Sequence, residues 1–454
     1  MSSVSTLQPP ATSQKRELPP ILAFAWDRRL SRMLRAYVLA GLFFMLLPGT
    51  FLGVWNLISI SSSRNLATLS PSWIQAHGHA QIFGWLGSFI LGIGLYSSGA
   101  ARRGMSYAVG PWICWFLWTG GVLLRWFANV YQWRWRLLLP LSAVMELSAF
   151  LLYRRLSPHK LSSRSSSSAP QKPAWMLAVM CGSFGMLAVL VMNALAVSYL
   201  AVHGDSLAFP HVFDQRLLSL MTYGFFVPFI WGFSARWGSI FAGLEPARER
   251  FLRWAVLINY AGVAAALLGL PLLAGCFALV SSALATVSLR LFEPVGRPAK
   301  IKGIHSSFSY FLRISYIWLI VSAILGIVAA LLDHFGGIWG AARHALTVGF
   351  AATMVFTIGP RVLPHFAGVK KLLSPAVMGL SLLLLNLGCF LRVTFEIAAY
   401  EHLWQPAWRV LPVSAILELS AVTLFAANLL FTFLLSAPLV ANSNPEITLA
   451  AAHE

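Results

Sequence analysis

Residues 77–98 read HGHAQIFGWLGSFILGIGLYSS. Beyond the two histidines the stretch carries no ionisable side chain except Tyr96. As an α-helix it reaches about 33 Å at 1.5 Å per residue, enough to cross a hydrocarbon core of about 30 Å. Its apolar residues are continuous and do not alternate, which argues for a helix and against a barrel strand. Histidines inside such a span are expensive unless they face a protein interior or a cofactor.

The same pattern recurs along the chain. Of 454 residues, 58% are hydrophobic and 10% charged, with mean hydropathy +0.73. Soluble domains carry about 25% charged residues, and no soluble fold of this length hides so much apolar surface. We read an all-α integral membrane protein with twelve spans, near 37–60, 77–98, 106–126, 136–153, 174–200, 214–240, 252–270, 272–291, 313–333, 340–361, 373–396 and 409–436. Residues 1–36 read as a polar cytoplasmic tail with no cleavable signal, and 439–454 as a disordered cytoplasmic tail. The Ser162–Ser168 run reads as a flexible linker.

The formal net charge of +19 first suggests nucleic acid. The basic residues, however, sit in alternate loops. Arg102 and Arg103, then Arg154, Arg155, Lys160 and Arg164, then Arg248, Arg250 and Arg253 share a side with the basic N-terminal tail. The opposite loops are poorer, with Arg134 and Arg136 the exception. This bias assigns a bacterial inner membrane, places both termini in the cytoplasm and makes lipid, not nucleic acid, the partner. Cys114, Cys181, Cys276 and Cys389 lie singly in apolar spans, so neither disulfides nor a thiolate metal site is indicated.

The two ends of the chain repeat each other. Pro140, Ser142, Glu146-Leu147-Ser148-Ala149 matches Pro412, Ser414, Glu418-Leu419-Ser420-Ala421. Gly121 and Arg125 match Gly388 and Arg392; His79-Ala80 and Gly84 match His344-Ala345 and Gly349. The separations of 265, 267 and 272 residues stay close to one register. Residues 37–156 and 313–436 therefore read as same-orientation repeats, with 174–291 a candidate middle copy that shows no comparable motif.

His77, His79 and His344 fall near the outer ends of repeat-related spans and are the candidate metal ligands; imidazole there suits an axial haem ligand. His77 and His79 lie about 200° apart around the helix, so they cannot both serve one face of one metal. A histidine bonded to a neighbouring carbonyl is the alternative for each. Arg125 and Arg392 suit haem propionates, or else snorkel to the interface. Glu146 and Glu418 are candidates for a proton relay or for packing across helices. Arg361 and His365 lie at the inner end of span 10, about 30 Å from the outer histidines.

His77, His79, Phe83-Gly84-Trp85 resembles the HxHxxxFGF segment of the NnrS-type haem–copper membrane proteins, with Trp85 for the last Phe and Ala80 for the family's acidic residue. His344 to Gly349 resembles their H-A-L-T-x-G segment, followed here by Pro360-Arg361 and His365. The two segments cover about fifty residues. More widely, the chain resembles subunit I of haem–copper oxidases, whose twelve helices form three arcs of four and whose low-spin haem is held from helices 2 and 10. The resemblance implies haem b, with copper second, and a link to nitric oxide. Spans 6 and 7 carry no histidine between Gly224 and Leu270, which speaks against dioxygen reduction at an oxidase-type binuclear centre. Two other functions stay open: an electron-transfer subunit with a bis-histidine haem and a redox partner, and a cofactor-free transporter using Glu146, Glu418 and the arginines.

Overall fold

The computed structural model describes residues 20–98, 106–157, 172–296, 303–369 and 371–435. Twelve long helices follow one another: α1 (residues 20–63), α2 (Pro71–Ser97), α3 (Ser106–Tyr131), α4 (Trp135–Leu156), α5 (Ala174–His203), α6 (His211–Ala242), α7 (Glu249–Leu267), α8 (Pro271–Ser288), α9 (Phe308–Leu332), α10 (Gly337–Phe366), α11 (Pro375–Tyr400) and α12 (Ala407–Leu435). Eleven are long and apolar enough to cross a membrane. The twelfth, α7, starts with Glu249, Arg250 and Arg253, which lower its hydropathy. The outer surface is apolar: Phe116, Leu195, Leu383 and Phe390 are exposed, while Asn193, Asn259, Ser281 and Thr357 are buried. That inversion fits a lipid-solvated protein, and the chain is a multi-span membrane protein.

The helices match the twelve expected spans in order, and their ends run further. α1 begins at Pro20, ahead of the apolar span expected from residue 37. Leu30, Met33, Leu34, Tyr37 and Val38 form a buried stripe at helical spacing, with Arg29 and Arg32 outward. Arg35 donates from Nη2 to Ala367 O at 2.7 Å and so caps the C-terminal end of α10. Hydropathy marks the lipid-buried length, whereas backbone hydrogen bonding continues through the interface. The Ser-rich linker and the C-terminal tail lie outside the described residues.

Five turns widen to π geometry, and three of them share a register. In α2 the wide segment is Ala80–Gly87, starting one residue after His79. In α10 it is Ala345–Ala352, starting one residue after His344. In α6 it is Leu220–Phe226, starting after Ser219. Each contains a glycine packed on the preceding helix: Gly84 on Phe44, Gly349 on Trp318, and Gly224 on Gly185. The middle group thus carries the local feature of its neighbours. Its strongest sequence signal, the histidine, is replaced by Ser219.

The outer groups match atom for atom at one helix crossing. A methyl added at Gly121 would lie 2.8 Å from Glu146 Cγ and 2.9 Å from Ser142 O. One added at Gly388 would lie 2.8 Å from Glu418 Cγ and 3.0 Å from Ser414 O. Backbone carbonyls yield little, so Gly121→Ala and Gly388→Ala should each destabilise by about 1–3 kcal/mol, and by similar amounts. Thermal unfolding of the two variants in detergent checks this; a neutral effect at both would mean that the crossings are slack.

Candidate functional site

The site starts from a wide turn in α1. Met45–Phe51 is π-helical around Pro48 and Gly49. Gly49 O faces His77 Nδ1 across 2.9 Å. A carbonyl can only accept, so Nδ1 carries the proton and the Nε2 lone pair of a neutral His77 is left over. The ring lies against Gly53, where an added methyl would be 2.6 Å from Cε1. Any side chain at residue 53 would displace the imidazole.

His344 on α10 has the same arrangement from other parts. Its Nδ1 meets Gly340 O at 2.9 Å and Glu396 Oε2 at 3.2 Å. Both partners are acceptors, so Nε2 again keeps its lone pair. Gly340 is required because any β-carbon there would strike the Glu396 carboxylate. His77 and His344 line one cavity of about 1330 Å³.

His79 lines the same cavity but is held differently. It is 6% exposed, its ring packs on Phe83 with centroids 4.6 Å apart, and its Nε2 is 2.8 Å from Glu146 Oε1. Glu146 of α4 therefore holds Nε2, the nitrogen that His77 and His344 leave unpartnered. Glu146 thereby has a packing partner, and its other oxygen, Oε2, has none. In the second repeat Glu418 is half-buried, lines the cavity and leaves its buried Oε1 without a partner. There His344 pairs with Glu396 instead, whose repeat position in the first group is Asn129.

Arg392 is 8% exposed, and its Nε and Nη2 each lie 3.1 Å from a Glu396 oxygen. Its Nη1 is buried without a hydrogen-bond partner. Arg125 is 2% exposed, donates from Nη1 to Asn193 Oδ1 at 3.3 Å and sits 5.0 Å over the Phe209 ring. Both guanidiniums line the cavity and are turned into the protein, away from the lipid interface. Arg361 and His365 lie at the far end of α10; Arg361 is over Phe241 at 5.7 Å and His365 is exposed. They are not brought to the site.

Sequence reasoning missed Glu396, although its spacing of four from Arg392 marks an i,i+4 ion pair. It also missed Arg343, which lines the cavity and donates from Nε to Trp339 O at 3.2 Å. His211, for which no role was expected, opens α6 and lines the cavity. Among the described residues no three histidine, cysteine, aspartate or glutamate side chains cluster as metal ligands.

The described residues fold as a twelve-helix, multi-span membrane protein. The chain is similar to a heme-copper terminal oxidase whose dimer was determined by cryo-EM, with TM-score 0.53 and 12% sequence identity, covering 91% of this chain and 85% of that one. At that identity the likeness shows the fold. Residues 235–429 match a family model described as a domain of unknown function, DUF8744. No curated protein matches the sequence.

Proposed function

We propose that this chain is a haem-binding protein of the bacterial inner membrane, with both termini cytoplasmic, linked to nitric oxide as the NnrS-type resemblance implies. One observation carries the reading: His77 and His344, on different helices that line one shared cavity, each fix Nδ1–H on a backbone carbonyl and leave Nε2 unpartnered. A ring anchored in this way is set in tautomer and orientation for a metal at the other nitrogen.

The rest of the site fits haem b. The unpartnered buried Nη1 of Arg392, with Arg125 as its repeat counterpart, suits the propionates. Gly53 and Gly340 keep the imidazoles seated. Glu396 adds negative charge at Nδ1 of His344 and makes Nε2 a stronger donor. When bound, haem would supply one-electron redox chemistry and affinity for nitric oxide. Apolar helix faces exclude water and let an uncharged gas arrive through lipid. Copper, the second metal of the resemblance, is assigned no residues.

The test is purification from haem-replete cells, a pyridine haemochrome assay with metal analysis, and a titration with nitric oxide. The expected result is a Soret band that shifts with nitric oxide. A colourless preparation overturns the reading. A low-spin band indifferent to nitric oxide and carbon monoxide would transfer the site to bis-histidine electron transfer with a redox partner, which two available Nε2 atoms also favour.

A further inference from the structure

His77 and His344 are held by unequal means. We propose that His77 is the exchangeable ligand, whose side takes an uncharged diatomic gas, while His344 stays bound; this rests on the haem reading above.

His344 is anchored from within its own helix. Gly340, whose carbonyl lies 2.9 Å from Nδ1, stands one turn earlier in α10. A second neighbour brings charge: Glu396 Oε2 lies 3.2 Å from the same nitrogen. Glu396 is 4% exposed, and Arg392 holds both of its oxygens. Negative charge at Nδ1 makes the other ring nitrogen a stronger donor to a metal. The next residue, Ala345, is fully buried, so the chain beside His344 is closed in.

His77 has one neutral acceptor, and that acceptor is on another helix. Gly49 O of α1 lies 2.9 Å from its Nδ1, in the widened turn Met45–Phe51. Among the described residues no carboxylate pairs with this imidazole. The next residue, Gly78, lines the cavity, and a methyl added there would meet nothing within 4 Å. An incoming molecule therefore finds room beside His77 and none beside the corresponding Ala345. The weaker donor and the open space fall on the same histidine. The exchange itself is a substitution. The bond from His77 Nε2 to iron breaks and a bond from the gas to iron forms. No electron is transferred, and Nδ1 keeps its proton.

The test uses the purified, haem-loaded full chain, reduced with dithionite, with carbon monoxide and nitric oxide as probes. If a histidine must leave first, the rate of carbon monoxide binding levels off at the rate of its departure. Gly53→Ala puts a methyl 2.6 Å from His77 Cε1 and should raise that limit by about tenfold or more. With nitric oxide, paramagnetic resonance of the native chain should show one histidine nitrogen opposite the gas. Nitric oxide weakens the bond opposite to it. Glu396→Gln removes the charge at His344 and should therefore give a five-coordinate nitrosyl with no histidine nitrogen. The two variants read opposite sides of the haem, so if one misfolds the other still decides. A limit unmoved by Gly53→Ala, a native nitrosyl without histidine nitrogen, or a Glu396→Gln nitrosyl that keeps it would each overturn the assignment. A chain that holds haem and ignores both gases overturns it as well and leaves the haem standing, whereas a colourless chain overturns the haem reading beneath it.

Discussion

His77→Ala and His344→Ala proteins are expected to lose haem by at least tenfold per chain, whereas His79→Ala keeps its haem and melts at a lower temperature. The three histidines looked equivalent in the sequence, and their surroundings separate them. All three line the cavity, but His77 and His344 are fixed through Nδ1 on backbone carbonyls and keep Nε2 unpartnered. Deleting even an outer partner of a metal ligand weakens binding about 10–100-fold, and deleting the ligand itself does at least as much. His79 instead spends Nε2 on Glu146. Glu146 is fully buried with one oxygen already unpartnered, so removing the imidazole strands a carboxyl group inside the α2–α4 contact. Breaking a buried pair by removing one member costs about 3–5 kcal/mol, an effect plain in thermal unfolding. Soret absorbance and melting temperature on the same three preparations decide the matter. Haem lost from His79→Ala and retained by His77→Ala would invert the ligand assignment.

The parts of this molecule that could be read from the sequence are those set by local chemistry. Spans of twenty apolar residues have one structural solution in lipid, so twelve helices in order followed from hydropathy. An imidazole in such a span stands out without any alignment, which is why the N-terminal ends of α2 and α10 were found. The choice between His77 and His79 was hidden because it depends on Gly49 of α1 and Glu146 of α4, each brought in by tertiary packing. Glu396 was hidden for a different reason: near a helix end it reads as an interfacial charge, and only packing shows it buried at 4% exposure against Arg392. The middle group escaped because Ser219 replaces the histidine and leaves a widened backbone turn, which no side chain announces. Helix ends ran past the hydropathy limits at α1 and α6, and so Arg35 and His211 gained structural places that a loop or tail would not have given them.

Glu396→Leu is expected to destabilise the protein by about 3–5 kcal/mol, while the double variant Arg392→Leu/Glu396→Leu recovers much of that loss. With Glu396 in place, Arg392 has two contacts at 3.1 Å and one buried nitrogen without any. Without it, the guanidinium keeps its charge in a site 8% exposed and has lost its carboxylate. Leucines at both positions remove the charge together with its partner, and the desolvation penalty disappears with the attraction. The first repeat shows that the surrounding helices tolerate a weaker arrangement. Asn129 stands at the position of Glu396, and Arg125, the counterpart of Arg392, reaches Asn193 of α5 instead. The acid therefore belongs to the histidine end of the second repeat, where it also meets Nδ1 of His344 at 3.2 Å. Chemical unfolding in detergent of the two single variants and the double closes a mutant cycle, in which residues of one network show coupling of about 0.5–3 kcal/mol. A coupling near zero would mean that Arg392 is held by other groups, and Glu396 would then be left with His344 as its partner in the site.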